Sequence, residues 1–183
     1  MKKTINICSA LILVSVLLGS CAAPILFETA QPSFKKSQNQ FKTKFVGEYF
    51  DPIDSTGLII SSKSIRVDPY YFGESRLDTI FSISEDNILK YYKKRYLLNY
   101  KFDEEDWGIH IVDLKDDQLT FYCFNIPDDI SSLKNLGTVR EVKNECGETV
   151  KMVVNPTRKG FAKLFDDKNL KSLVVYQKVS KPN

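Results

Sequence analysis

Apolar residues from position 41 onward fall in short runs rich in Val, Ile, Tyr and Phe, broken at intervals of roughly ten residues by Gly, Asp, Asn and Ser. That spacing is the signature of antiparallel strands joined by turns. The pattern predicts strands over 44–50, 57–61, 64–68, 78–84, 88–93, 95–102, 107–114 and 118–125. Glu85-Asp86-Asn87, Asp103 to Asp106 and Lys115-Asp116-Asp117 are short polar connections, so neighbours in sequence should pair as hairpins. Leu89, Tyr92, Tyr96 and Leu97 also fit a helical spacing, but Ile88, Tyr91, Leu98 and Tyr100 lie off that face. The reading is a hairpin with Lys93 and Lys94 at its tip.

After Pro127 the texture changes. Asp128-Asp129 ahead of Ile130, Leu133 and Leu136, with Gly137 behind, predicts a short capped helix whose acids sit at the positive end of its dipole. Strands resume over 138–143 and 148–154, with Gly147 in the turn between them. Asn155-Pro156-Thr157 reads as a cap with proline in the first helical position, leading into a helix over 158–165 that Gly160 weakens by about 1 kcal/mol relative to alanine. A closing strand spans 172–179. The expected fold is mainly β: an antiparallel meander forming a barrel or a strongly curved sheet, with two short helices near the C-terminal end.

The N-terminal stretch follows a different rule. Lys2 and Lys3 precede an apolar run from Ile7 to Leu18, and small residues follow at Gly19 and Ser20, the layout of a cleaved secretory signal. As a helix the run rises only about 18 Å, short of the roughly 30 Å hydrocarbon core of a bilayer. The tetrad Leu18-Gly19-Ser20-Cys21 resembles the lipobox of bacterial lipoproteins at every position. The resemblance implies cleavage before Cys21, a thioether from its thiol to diacylglycerol and acylation of its new amine. Three chains at about 0.8 kcal/mol per buried methylene would hold a soluble domain at a bilayer. By the sorting rule of enterobacterial lipoproteins, the resemblance with Ala22 in place of Asp implies outer-membrane delivery; other bacterial groups export lipoproteins to the cell surface when acids closely follow the cysteine, and Cys21-Ala22-Ala23-Pro24-Ile25-Leu26-Phe27 has none, so the resemblance implies a periplasm-facing anchor. Residues 1–20 are thus expected to be removed, 21–40 to form a lipid-anchored flexible tether reaching about 60 Å when extended, and 41–183 to fold as one domain.

Removing the first 20 of 183 residues leaves 163, enough for one real core. Lys2 and Lys3 leave with the signal, so the formal charge falls from +3 to +1. Near-neutral, interspersed charge argues against nucleic-acid binding, which needs a clustered basic face. Cys8 is discarded and Cys21 lipidated, which leaves Cys123 and Cys146 in an oxidising compartment. They are either a disulfide, worth about 3 kcal/mol on the chain-entropy estimate, or two separate thiols.

His110 is the only histidine and lies on the strand face opposite Ile109 and Ile111. A general base there would need a partner and a cleft. The acidic clusters at 103–106, 116–117, 128–129 and 166–167 sit at predicted turns or helix ends and lack the alternating ligands and glycine of a calcium loop, so no metal is expected. Lys90, Lys93, Lys94 and Arg95, interleaved with Tyr91, Tyr92 and Tyr96, form the densest basic patch, read as a solvated hairpin tip. No G-x-S-x-G elbow, glycine-rich phosphate loop or metal-ligand spacing occurs, so neither catalysis nor a cofactor is expected.

Phe45-Val46-Gly47-Glu48-Tyr49-Phe50 resembles the first-strand motif of lipocalins, with Tyr49 where that family has tryptophan. This resemblance implies a barrel carrying a small apolar ligand. The sequence therefore leaves two functions open. One is a lipid-anchored, non-catalytic binding or assembly module with an envelope protein as partner; the other is a lipocalin-like carrier.

Overall fold

The run Tyr96-Leu97-Leu98 in one strand and Ile109, Ile111 and Val112 in the next put apolar side chains on both faces, so this hairpin must be covered on both sides. The structure, a computed structural model that describes residues 25–68, 78–124 and 130–179, is built around it. Among the described residues the strands are β1 (Ile25–Phe27), β2 (Ser37–Gln38), β3 (Gly47–Asp51), β4 (Thr56–Ile60), β5 (Ser64–Asp68), β6 (Asp78–Ser82), β7 (Asn87–Tyr92), β8 (Arg95–Lys101), β9 (Trp107–Lys115), β10 (Gln118–Phe124), β11 (Gly137–Lys143), β12 (Thr149–Pro156) and β13 (Leu170–Lys178). Two short helices, α1 (Ile130–Lys134) and α2 (Arg158–Leu164), complete the chain near its C-terminal end. The expected mainly β architecture is what forms, as one sheet, antiparallel except where β1 runs parallel to β12, curled into a half-barrel.

The sheet branches at β9. One of its edges carries β8, which continues to β7 and β2. Its other edge is shared: β10 pairs with Ile111 to Lys115, and β1 meets Trp107 through Phe27. From β10 the sheet runs through β13, β3, β4 and β5 to β6, and from β1 it runs through β12 to β11. Both two-residue hairpin turns beside the hub have left-handed backbone, at Lys93 and Lys94 (φ 46° and 67°) and at Asp116 and Asp117 (φ 49° and 61°). This is the turn geometry that matches strand twist. The expected hairpin with Lys93 and Lys94 at its tip is therefore present.

Side chains alternate across β8 and β9 into two cores. Tyr96, Leu98 and Val112 face the half-barrel interior with Phe41, Phe45, Tyr49, Leu58, Ile65, Phe81, Leu119 and Phe121. Leu97, Trp107, Ile109 and Ile111 face the opposite way, against Phe27, Phe124, Val154 and the α2 residues Phe161 and Leu164.

Three expectations need correction. The spacer expected over residues 22–40 is folded from Ile25 onward, because Ile25-Leu26-Phe27 supplies apolar side chains to both faces of a strand. β1 pairs parallel to β12, with Ile25 opposite Met152 and Phe27 opposite Val154, and Leu26 and Phe27 are buried. The domain therefore begins by residue 25 and not 41. Residues 43–45 form a 3-10 turn, so the strand expected at 44 begins at Gly47. Thr157, not the preceding proline, caps α2 by accepting a hydrogen bond from the Gly160 N–H at 3.0 Å, while Pro156 ends β12. Gly160 is needed despite its helix cost: a side chain there would collide with the Leu136 backbone.

Candidate functional site

The N-terminal segment is fastened to the hub by two buried polar side chains. Asn99, on β8, accepts from the Gln31 N–H at 2.6 Å and donates to the Gln31 carbonyl at 3.0 Å. Lys90, on β7, is buried and donates to the carbonyls of Ala30 at 2.7 Å and Pro32 at 3.0 Å. Burial pushes the Lys90 ammonium below its ordinary pKa. Such a group persists inside because its donors are used. Downstream, the Phe41 N–H donates to Ser62 and the Lys42 N–H to the Tyr96 hydroxyl, which sets Phe41 and Phe45 against Tyr96 at centroid spacings of 4.9 and 4.8 Å.

A charged cluster joins the β8–β9 loop to the β11–β12 pair. Lys151 contacts Asp103 and Asp106, each at 2.6 Å, and Arg140 contacts Asp106 at 3.2 Å. Asp106 is buried, so these partners satisfy a carboxylate that would otherwise be costly. The Lys151 ammonium, with the Asp106 and Glu105 N–H groups, holds the Asp103 carboxyl down to about 2.

At the opposite end of β9, about 27 Å along the strand from Trp107, a groove of about 670 Å³ opens among Val46, Gly47, Glu48, Ile59, Asp117 and Lys178. The segment that leads into β3 beside it is fixed locally. The Tyr49 hydroxyl donates back to the Phe45 carbonyl at 2.8 Å across the 3-10 turn. Burial, with the Asp117 charge behind it, pushes that phenol up to about 12. Gly47 (φ 153°) passes beside Lys178, where an added Cβ would lie 3.2 Å from Cε, and the Lys178 ammonium donates to the Lys44 carbonyl at 3.0 Å. The groove offers apolar walls with charges of both signs, a surface that suits an amphipathic segment better than a single ion.

The candidate residues disperse. His110 is half-buried with its ring 5.3 Å from Tyr100, burial pushes its pKa down, and no described carboxylate or hydroxyl hydrogen-bonds to it. Cys123 and Cys146 are unbridged. The bridge fails on topology: Cys123 lies in β10 and Cys146 in the β11–β12 turn, with β9, β1 and β12 between those strands. At about 4.8 Å per strand that separation far exceeds disulfide reach.

The basic patch is taken apart, since Lys90 is interior and Arg95 pairs with Asp113 at 2.9 Å and Asp167 at 2.6 Å, leaving Lys93 and Lys94 exposed. Among the described residues no cluster of His, Cys, Asp and Glu could hold a metal ion. Cys21, Asp128 and Asp129 lie outside the described residues. Sequence reasoning missed the interior roles of Lys90 and Asn99, whose one available signal was a polar residue inside an otherwise apolar strand. Comparison with family models, curated proteins and solved structures returned no match.

Proposed function

We propose that this chain is a lipid-anchored cell-envelope lipoprotein, on the periplasmic side of the outer membrane, acting without catalysis as a binding or assembly module. The observation that carries this reading is Leu18-Gly19-Ser20-Cys21 behind a short apolar run. The groove at the far end of β9 is then the candidate contact for an envelope protein partner. Close-packed rings around Tyr96 in the half-barrel support the module over the alternative, a lipocalin-like carrier of a small apolar ligand. Labelled palmitate should enter the wild-type protein and not Cys21→Ser, and a photocrosslinker at Glu48 should capture a specific envelope neighbour in intact cells. Equal palmitate incorporation in both proteins would remove the anchor. A small apolar molecule retained by the purified protein in native mass spectrometry would favour the carrier.

A further inference from the structure

Charges that are interspersed along the sequence are sorted by the fold to opposite ends of the strands. The β7–β8 tip carries Lys93 and Lys94, both exposed. β2 runs antiparallel to β7 with Ser37 opposite Lys90, so Lys36 and Lys35, just ahead of it, run toward the same tip, where the neighbouring Phe34 ring meets Tyr92 at 5.7 Å. Lys42 arrives from further along the same segment, its N–H on the Tyr96 hydroxyl and its ammonium 3.5 Å over the Tyr91 ring. The grips of Lys90 and Asn99 on residues 30–32 hold this segment in place. Lys35, Lys36 and Lys42 are exposed too, and among the described residues none of the lysines of this corner is ion-paired.

The acids beside the tip are Asp113 and Asp167, both held by Arg95, and Asp166, which shares a small hollow with Lys93. Glu48, Asp116, Asp117 and, in the β11–β12 turn, Glu145 and Glu148 belong to the other edge of β9. The far ends of the strands are the reverse. The β3–β4 turn, the connection ahead of β7 and the β8–β9 loop present Asp54, Glu85, Asp86, Asp103 and Glu104, all exposed. Among the described residues only Asp103 of these has an ion pair, with Lys151.

The chain that leads back to Cys21 leaves toward the lysine end. β1 is antiparallel to β9, with Phe27 opposite Trp107, so its upstream end points along β9 toward the β9–β10 turn and, across the antiparallel β8, toward the β7–β8 tip. Of the roughly 27 Å that β9 rises beyond Trp107, β1 covers about 7 Å, and the four steps from Ile25 back to Cys21 span at most about 14 Å. The shortfall is about 6 Å. That is less than the screening length of about 10 Å over which a lysine feels an anionic surface, and an incline of the strands brings anchor and tip to one bilayer surface.

We propose that the lysine corner at the β7–β8 tip binds the anionic headgroups of the leaflet that holds the lipid of Cys21, with the acidic far end turned away. The proposal rests on the lipid-anchor reading and gives it a direction. The groove beside Asp117 opens at the same end of β9, so its partner lies at the membrane surface.

Ser37, exposed beside Lys36, and Ile53, 88% exposed in the β3–β4 turn, mark the two ends. Ser37→Cys and Ile53→Cys are each labelled with a fluorophore in a Cys123→Ser, Cys146→Ser background. The mature lipidated protein is reconstituted in vesicles of phosphatidylcholine alone or with about a third phosphatidylglycerol, both carrying a headgroup nitroxide. In the anionic vesicles the label at position 37 should be quenched at least twofold more than the label at 53. The difference should shrink in phosphatidylcholine alone and when Lys35, Lys36, Lys93 and Lys94 are all changed to Gln. Equal quenching at both positions, in protein that takes up labelled palmitate and floats with the vesicles, overturns the contact and leaves the anchor standing. A difference of the same size in neutral vesicles and in the Gln variant also overturns it, since the anchor alone would then set the orientation. Equal quenching together with capture of an acidic protein by a photocrosslinker at position 37 in intact cells gives the lysines to a protein partner instead. Protein that neither takes up palmitate nor floats overturns the anchor and with it the proposal.

Discussion

The two faces of the β8–β9 hairpin bury cores of different construction. The half-barrel core is drawn mainly from strands consecutive in sequence, β3 to β10, and is plugged by Phe41 and Phe45 from the segment just before β3. The other core has to be assembled from both ends of the chain: β1 and the following segment from one side, and β12 with α2 from the other. Local hairpins are enough to specify the first, whereas the second depends on loop closure across more than a hundred residues and on polar grips that fix the N-terminal segment. The two regions should therefore fail separately.

Phe161→Ala tests this most severely. Phe161 is fully buried and meets Phe34, Tyr92, Phe124 and Phe165. Its truncation should cost about 3–5 kcal/mol in denaturant unfolding. Hydrogen exchange should accelerate in β1, β12 and α2 while amides of β3 to β5 stay protected. Uniform loss of protection would show that the two cores act as one. Asn99→Ala should cost about 2 kcal/mol, because it leaves both Gln31 backbone groups unpaired in the interior. Exchange at residues 25–34 should rise most.

How legible each region was follows from the same contrast. Alternating apolar runs and two-residue polar turns marked the hairpins of the half-barrel, and the strand bounds fall within a few residues of those the pattern gives. β1 was hidden because three apolar residues among prolines, serines and glutamines carry no period, and a parallel partner more than a hundred residues away leaves no local trace. Lys90 was placed on the surface by its charge, while the carbonyls that hold it come from a segment with no strand signal. The groove brings together residues from β3, β4, the β9–β10 turn and β13, and no single stretch announces it.

A smaller effect separates the half-barrel by pH. The folded Tyr49 phenol is raised to about 12 from 10.0, so its stabilising contribution is complete below about pH 10 and is lost as pH climbs toward 12. Tyr49→Phe should cost about 1 kcal/mol at neutral pH, through the hydrogen bond to Phe45, and should show a shallower alkaline loss of stability. An unchanged alkaline profile would assign that loss to other groups.

The smallest effect belongs to the charged cluster that ties the shared hairpin to the end-assembled core. Asp103 is exposed, and its carboxyl is held near 2 by the Lys151 ammonium at 2.6 Å, then by the N–H groups of Asp106 at 2.8 Å and Glu105 at 3.1 Å. A lowered carboxyl pKa stabilises the fold above about pH 4, and that contribution disappears as pH falls through about 2. In a carboxyl-carbon NMR titration, Asp103 should have its midpoint near 2 in the wild type and move toward 3.8 in Lys151→Met. Asp103→Asn should change stability least of the four variants, because water and salt screen a pair at the surface. If Lys151→Met leaves the midpoint in place, the loop's own N–H groups hold the carboxylate. The tie from the hairpin to β12 would then rest on Asp106, which is buried and paired with both Arg140 and Lys151.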